Sequence, residues 1–382
     1  MGLKIRVNPL NPRHPRAIFN MDLTIFPEII DQFSLMDPPS GIQNWGEGHI
    51  HETYLVETSG HHPDYILQKI NHNIFKDIPG MMANIESVTR HLKGKSLRDI
   101  GKKADHRSLS LVYTRSGNSY YEDKDGNYWR MYFFIPDTLT FQLISDPILA
   151  SEAGRAIGLF QANLVDLQDP LVETIKEFHS INLRISQYEQ AKSENRAGRA
   201  GEVTGDLSFA ESRFERMCRY FSSLKEKAVV RVTHNDTKLN NILFDKNHNA
   251  LCLIDLDTVM PGYVHFDFGD ALRTMANTAP EDEKVLSNVH FNKEVFESFT
   301  RGYLEIAGDF LTDDERELLP YAPVYLTFII GLRFLTDYLN GDVYYRVHHP
   351  GHNLDRARVQ FKLVDEMEAC CFYDENPRSI KK

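Results

Sequence analysis

The 382-residue sequence has little cysteine, few basic residues relative to acidic ones, and no long uncharged apolar run. Its four cysteines, Cys218, Cys252, Cys370 and Cys371, are too few and too clustered for a disulfide framework and lack metal-ligand spacing. A reducing, cytoplasmic setting is therefore expected. Lys and Arg number 43 against 54 Asp and Glu, a formal net charge of -11, which argues against a nucleic-acid or anionic-membrane surface. The longest apolar stretch, Tyr321 to Leu339, carries Arg333 and Asp337, so it reads as a buried helix and not a membrane span. The opening Met1-Gly-Leu-Lys-Ile-Arg-Val7 lacks an export core, and Arg6 stands where a myristoylation signal wants Ser or Thr, so neither export nor anchoring is expected. Internal repeats and low-complexity tracts are absent. The remainder, 42% hydrophobic and 25% charged, is ordinary globular composition, and the length suffices for two domains with their own cores.

What is present is concentrated in one stretch. Val232-Thr-His-Asn-Asp-Thr-Lys-Leu-Asn-Asn-Ile-Leu-Phe-Asp245 runs from an apolar strand into His234-x-Asp236 and then Asn241. A second apolar run turns at Asp245 to Asn249 and ends at Asp255 and Asp257. Phosphoryl transfer from ATP to a hydroxyl needs a carboxylate to orient and deprotonate that hydroxyl, and oxygen ligands to hold Mg2+ on the phosphates. Asp236, with Asn241 five residues later and Asp255 at a following strand end, has the order and interval of such a site. Any one of these residues is commoner in an Asx turn. The ordered set selects Asp236 as base and Asn241 and Asp255 as metal ligands, and leaves Asp257 open between a second metal contact and a loop brace.

Upstream, residues 41–135 read mostly as strands. Gly46 and Gly48 lie in a turn where backbone N–H groups can approach phosphates, although a plain hairpin turn has the same look. Lys69, alone in the apolar run Tyr65 to Ile70, is either an edge lysine or a phosphate donor. Met81, Ile85, Val88 and Leu92 form a helical stripe flanked by Glu86, which could pair with Lys69. Trp129, Met131, Phe133 and Ile135 alternate as a half-buried strand, stopped by Pro136. Beyond Phe141 the periodicity is helical, interrupted by a polar stretch from Gln190 to Asp206 read as a mobile loop.

Asp267 and Asp270, where a helix begins, read as braces for the catalytic loop. His179 and Arg184 are candidate acceptor-side groups, beside the blander reading of a buried histidine and a surface arginine. Arg333 sits among large apolar residues, where either Asp337 one turn on or ligand oxygens would satisfy it. His348-His349-Pro-Gly-His352 reads as a loop and not a metal site. The pattern divides into a tail over residues 1–20, a nucleotide-binding part over 21–135 and a catalytic, substrate-binding part over 136–382.

With these residues in hand, the chain resembles the aminoglycoside phosphotransferase and choline kinase superfamily. Its signature, His-x-Asp followed by Asn and then an Ile-Asp strand end, is present at 234–241 and 254–255. Within that superfamily it is most similar to N-acetylhexosamine 1-kinases, through Gly46-x-Gly48-His-Ile-x-x-Thr-Tyr54, Tyr65-Ile-Leu-Gln-Lys69, Ile254-Asp-Leu-Asp-Thr-Val-Met-Pro-Gly262, Asp267-Phe-Gly-Asp-Ala-Leu-Arg273 and Asn353-Leu-x-Arg-Ala-Arg-x-Gln360.

The resemblance implies an α+β, bilobal, protein-kinase-like fold, with a small antiparallel-sheet lobe and a larger helical lobe. It implies ATP and Mg2+ as cofactors, a small sugar as acceptor, no nucleic-acid or membrane partner, and a monomer. Lys69, supported by Glu86, would contact phosphates. Gly46 and Gly48 would face them, and Phe133 and Ile135 would lie at an adenine-binding hinge. Arg333, with His179 and Arg184, would stand on the acceptor side. The implied acceptor is the anomeric hydroxyl of N-acetylglucosamine or N-acetylgalactosamine. The alternatives are another small alcohol, such as an aminoglycoside, choline or another sugar, and a non-catalytic nucleotide-binding protein.

Overall fold

The computed structural model describes residues 25–46, 50–100 and 108–371; the expected tail over 1–20 lies outside them. The chain forms two compact units. Unit 1 comprises residues 1–141, 163–175 and 240–261, and unit 2 comprises 142–162, 176–239 and 262–382.

Unit 1 is organised by an antiparallel sheet. Helix α1 (Ile25–Ile30) precedes strands β1 (Pro39–Asn44), β2 (Glu52–Thr58) and β3 (Tyr65–Ile70). Helix α2 (Ile78–Ile100) follows, then β4 (Leu111–Val112), β5 (Tyr121–Glu122) and β6 (Tyr128–Phe133). The strand order is β1-β2-β3-β6-β4, with β5 also pairing with β6. The alternation of a pleated strand puts Tyr54, Val56, Tyr65, Leu67, Trp129 and Met131 on one face, where they bury against Phe26, Ile29, Ile30 and Phe33. Phe26 meets Tyr54 and Trp129 edge-on at 4.7 and 6.3 Å. Removing each large side chain from water stabilises by about 1.5–3 kcal/mol. The other face of β6 carries Arg130 and Tyr132, and both are buried too. The strand expected to be half-buried is therefore covered on both faces.

Unit 2 is helical. Helices α3 (Pro147–Leu164), α4 (Ile181–Glu194), α5 (Thr204–Glu211) and α6 (Phe214–Lys227) lead to strand β7 (Arg231–Thr233). The stretch expected as a mobile loop is mostly ordered structure. α4 runs to Glu194 and stops where Asn195 turns left-handed (φ 41°), with its backbone N–H on the Ala191 carbonyl. Asp206 lies in α5 and accepts from Arg358 at 2.9 Å.

After β7 the chain enters unit 1 as the hairpin β8 (Ile242–Phe244) and β9 (Ala250–Leu253), then strand β10 (Met260–Gly262). It finishes in unit 2 with α7 (Val264–Met275), α8 (Lys293–Ala307), α9 (Asp313–Leu318), α10 (Ala322–Asn340) and α11 (His352–Cys371). The apolar stretch read from the sequence is α10, buried along most of its length and packed against α4, α7 and α11.

Candidate active site

In unit 2, β7 delivers His234-Asn-Asp236 to a loop held from beneath by α7. The Asp267 carboxylate accepts the backbone N–H groups of His234 (3.0 Å) and Asn235 (2.7 Å) and the Gln161 amide (2.8 Å). The Thr237 hydroxyl donates to the Asp267 carbonyl at 2.6 Å. Asp267 is fully buried, and that burial raises its pKa against the opposing pull of His234 and the bound N–H groups. It is a brace. Asn235 is left-handed (φ 64°), which turns the chain so that Asp236 comes out half-exposed.

Lys238, which sequence reading passed over, places its ammonium 2.9 Å from the Asp236 carboxylate. Asp270 takes Arg273 through one oxygen, at 3.0 and 2.9 Å, while its buried Oδ2 has no partner among the described residues. Burial raises the Asp270 pKa, and the neighbouring Asp236 charge raises it further.

The three acceptor-side candidates come together in the same unit. The Arg333 guanidinium lies over the rings of Phe178 (5.4 Å), Tyr345 (5.6 Å) and Tyr344 (5.9 Å). Asp337 does not pair with it. The Asp337 oxygens accept the backbone N–H groups of Val343, Tyr344 and Tyr345 (2.9–3.0 Å) and the Asn353 amide (2.8 Å), so Asp337 shapes the loop that carries the two tyrosines. Arg184 donates to the Phe178 carbonyl at 2.6 Å and to Gln187 at 2.8 Å, and pairs with no described carboxylate. Burial and the nearby Arg333 charge bring its pKa down to about 10. His179, packed against Phe178 and Phe266 (4.5 and 4.9 Å), lies beside the Asn235 backbone. Burial, then Arg333 and Arg184, hold its pKa well below the usual value, so the ring is neutral. This is a cluster of cations and rings in which neither arginine makes an ion pair with a carboxylate among the described residues.

In unit 1, the β8–β9 hairpin closes Asn241 and Asp255 onto one end. Ile242 pairs with Leu253, and the Ile254 N–H donates to the Asn241 carbonyl at 2.9 Å. The Asp245 carboxylate closes the other end by accepting the N–H groups of Asn247 (2.8 Å) and Asn249 (2.9 Å). Asp255 is left-handed, φ 66° and ψ 57°. His51, Asp255 and Asp257 bring ligand-type atoms within 4.8 Å of one another. Both Asp257 oxygens, however, are bound by side chains, taking the two Arg130 Nη groups and His51 Nε2. Burial alone would raise its pKa; Arg130 and His51 hold the carboxyl well below the carboxylate range. Asn241 and Asp255 offer hard-oxygen donors of the kind suited to Mg2+.

Other expectations for this unit change. Lys69 sits on β3 opposite Trp129 and Glu52, with its ammonium 5.7 Å from the Trp129 ring and 4.0 Å from Glu52. That is the sheet face of Tyr65 and Leu67. Arg130, which reaches Asp257, and Gln68, which accepts from Arg130, stand on the other, so Lys69 points away from the Asp255 turn. Glu86 does not meet it, taking the Tyr113 hydroxyl (3.2 Å) and lying 3.9 Å from Arg90. Phe133 packs its ring against Tyr65 at 5.4 Å and Ile135 is buried. It is Phe134 that meets Trp45, the neighbour of Gly46, at 5.4 Å. The backbone N–H groups of Phe133 and Phe134 are taken by Ser110 and Asp64. Gly46 has the left-handed backbone that its residue type permits (φ 77°), and Gly48 lies outside the described residues. His349 pairs with Asp355 and His352 with Asp282; His348 and His349 lie in the expected loop, whereas His352 begins α11.

Residues 41–304 match the phosphotransferase enzyme family. The match covers more than half of the chain, and the protein belongs to that family. Among solved structures, the chain is similar to a microcompartment-associated aminopropanol kinase, with 18% identity over 91% of this chain and 97% of the other and a TM-score of 0.59. It is also similar to a spectinomycin phosphotransferase in complex with ADP and spectinomycin, with 13% identity over 88% and 94% and a TM-score of 0.55. A third is a Plasmodium vivax ethanolamine kinase, with 13% identity over 84% and 82% and a TM-score of 0.52. These likenesses show a common α+β fold.

Proposed function

We propose that the protein transfers the γ-phosphoryl group of ATP, as its magnesium complex, to the anomeric hydroxyl of an N-acetylhexosamine. The observation that carries the acceptor is the cluster of Arg333 and Arg184, neither in an ion pair among the described residues, with Phe178, Tyr344 and Tyr345. Acceptors bearing ammonium groups, as in aminoglycosides and amino alcohols, would be repelled there, since like charges in a partly desolvated site cost several kcal/mol. A neutral sugar offers hydroxyl and amide oxygens to guanidinium donors and an apolar ring face to the aromatics. The sequence phrases shared with N-acetylhexosamine 1-kinases point the same way.

In the proposed reaction Asp236 accepts the proton of the acceptor hydroxyl as that oxygen bonds to the γ-phosphorus. The bond from phosphorus to the β–γ bridging oxygen breaks, and ADP leaves with its electron pair. Asn241 and Asp255 would hold magnesium, which would supply charge to offset that of the phosphates. Lys238 helps to fix the orientation of the Asp236 carboxylate through the contact at 2.9 Å.

The test is ADP release over a panel of N-acetylhexosamines, other sugars, aminoglycosides, choline and ethanolamine. Turnover is expected with the N-acetylhexosamines, and Asp236→Asn should lower kcat by about 10²–10⁴-fold. Turnover confined to cationic acceptors overturns the acceptor assignment. An Asp236→Asn protein with full activity overturns the mechanism.

A further inference from the structure

The convergence of His51, Asp255 and Asp257 looks like a three-ligand metal centre, and the hydrogen bonding says otherwise. The backbone N–H of Asn71, just after β3, donates to His51 Nδ1 at 3.0 Å. That nitrogen is therefore the acceptor and Nε2 carries the proton, which it donates to Asp257. No ring lone pair remains for a metal. Both Asp257 oxygens are also bound, by the paired Nη groups of Arg130. Arg130 in turn donates through Nε to Gln68 at 2.9 Å and lies over Tyr132 at 5.3 Å. Both members of the ion pair are buried, where removing one partner strands the other's charge.

We infer that Arg130, Asp257 and His51 are positioning residues that hold the metal ligand Asp255 in its left-handed conformation, a reading that rests on the phosphoryl-transfer proposal. Asp255 lies two residues before Asp257, at the start of the short turn Leu256–Thr258. A left-handed non-glycine residue costs about 1–3 kcal/mol and persists only where its surroundings dictate it. Here the turn is tied at Asp257 to β6 through Arg130, and to the segments before β2 and after β3 through His51. It is tied again at Val259, whose carbonyl accepts from the buried Asn84 of α2 at 2.9 Å.

Asp257→Asn leaves Arg130 buried and uncompensated and can unfold the sheet, so the decisive variants are at His51. His51→Phe keeps the ring stacked on Phe75 (5.5 Å) and removes both hydrogen bonds; His51→Gln restores a donor near the Nε2 position. ADP binding to the full chain is measured by calorimetry in EDTA and across a Mg2+ titration. In His51→Phe the Mg2+ needed for half-maximal enhancement should rise about 10–100-fold, the usual effect of losing a group that orients a metal ligand. ADP affinity in EDTA should stay unchanged, and His51→Gln should recover most of the loss. An unchanged Mg2+ response in His51→Phe, or an equal loss of ADP affinity with and without Mg2+, overturns the brace alone. A wild-type protein whose ADP affinity ignores Mg2+ overturns the phosphoryl-transfer reading beneath it.

Discussion

Asp236, Asn241 and Asp255 are tied to one another through the chain itself. The interval from Asp236 to Asn241 is covalent, and so is the hairpin that returns the chain to Asp255. Their order therefore survives folding. Arg333 posed a choice between Asp337 and a ligand, and folding decides it. Asp337 spends its oxygens on three backbone N–H groups and an asparagine amide, leaving the guanidinium against three rings with no described acceptor. Arg333→Met should therefore weaken acceptor binding more than it slows the chemical step. A charge-assisted hydrogen bond contributes about 1.5–3 kcal/mol, so KM for the N-acetylhexosamine should rise about 10–100-fold with kcat changed far less. Steady-state kinetics at saturating ATP measures both. The pair His51 and Asp257, by contrast, joins positions 206 residues apart, and nothing in either neighbourhood of the sequence announces it.

At the scale of elements, one expectation failed on a rule the sequence already contained. Tyr65-Ile-Leu-Gln-Lys-Ile70 is a strand, and Lys69 shares the parity of Tyr65 and Leu67, both buried under α1. A residue two along from a core residue faces the core side, so Lys69 could not also stand with Gln68 and Arg130. Strand β6 shows the limit of the same rule. Its alternation identifies one buried face, but the burial of Arg130 and Tyr132 on the other depends on the turn at Asp257, which comes from far along the chain. The strand geometry makes a direct prediction for Lys69→Met. The substitution removes a partly exposed pair with Glu52, worth about 0–1 kcal/mol, and should leave KM for ATP within about threefold of wild type, since a contact of that size is all that is lost. A KM for ATP raised a hundredfold or more would return the lysine to the phosphates.

At the scale of the whole molecule, the buried titratable groups set how the fold responds to acid. His265 on α7 is buried, donates from Nε2 to the Glu315 carbonyl at 2.9 Å and leaves Nδ1 without a partner among the described residues. Burial brings its pKa down to about 4, with the Glu315 backbone and charge opposing. His179 is lowered in the same direction. A histidine whose folded pKa lies below its unfolded value of about 6.5 adds stability that is complete above that value and is lost as pH falls toward the folded pKa, because the unfolded chain then binds the extra proton. For His265 the window is pH 6.5 to 4, and the loss by pH 5 is about 2 kcal/mol at about 1.36 kcal/mol per pKa unit. Asp267 and Asp270 work against it. Their folded pKa values are raised by burial, so acid relieves a penalty they impose when ionised. Unlike these carboxylates, His265 admits a clean substitution, because glutamine keeps a donor for the Glu315 carbonyl and cannot titrate. The melting temperature of the wild-type protein should fall between about pH 7 and pH 5, and that of His265→Gln should fall measurably less over the same interval. Parallel pH profiles for the two proteins would show that this histidine does not enter the fold as the neutral species.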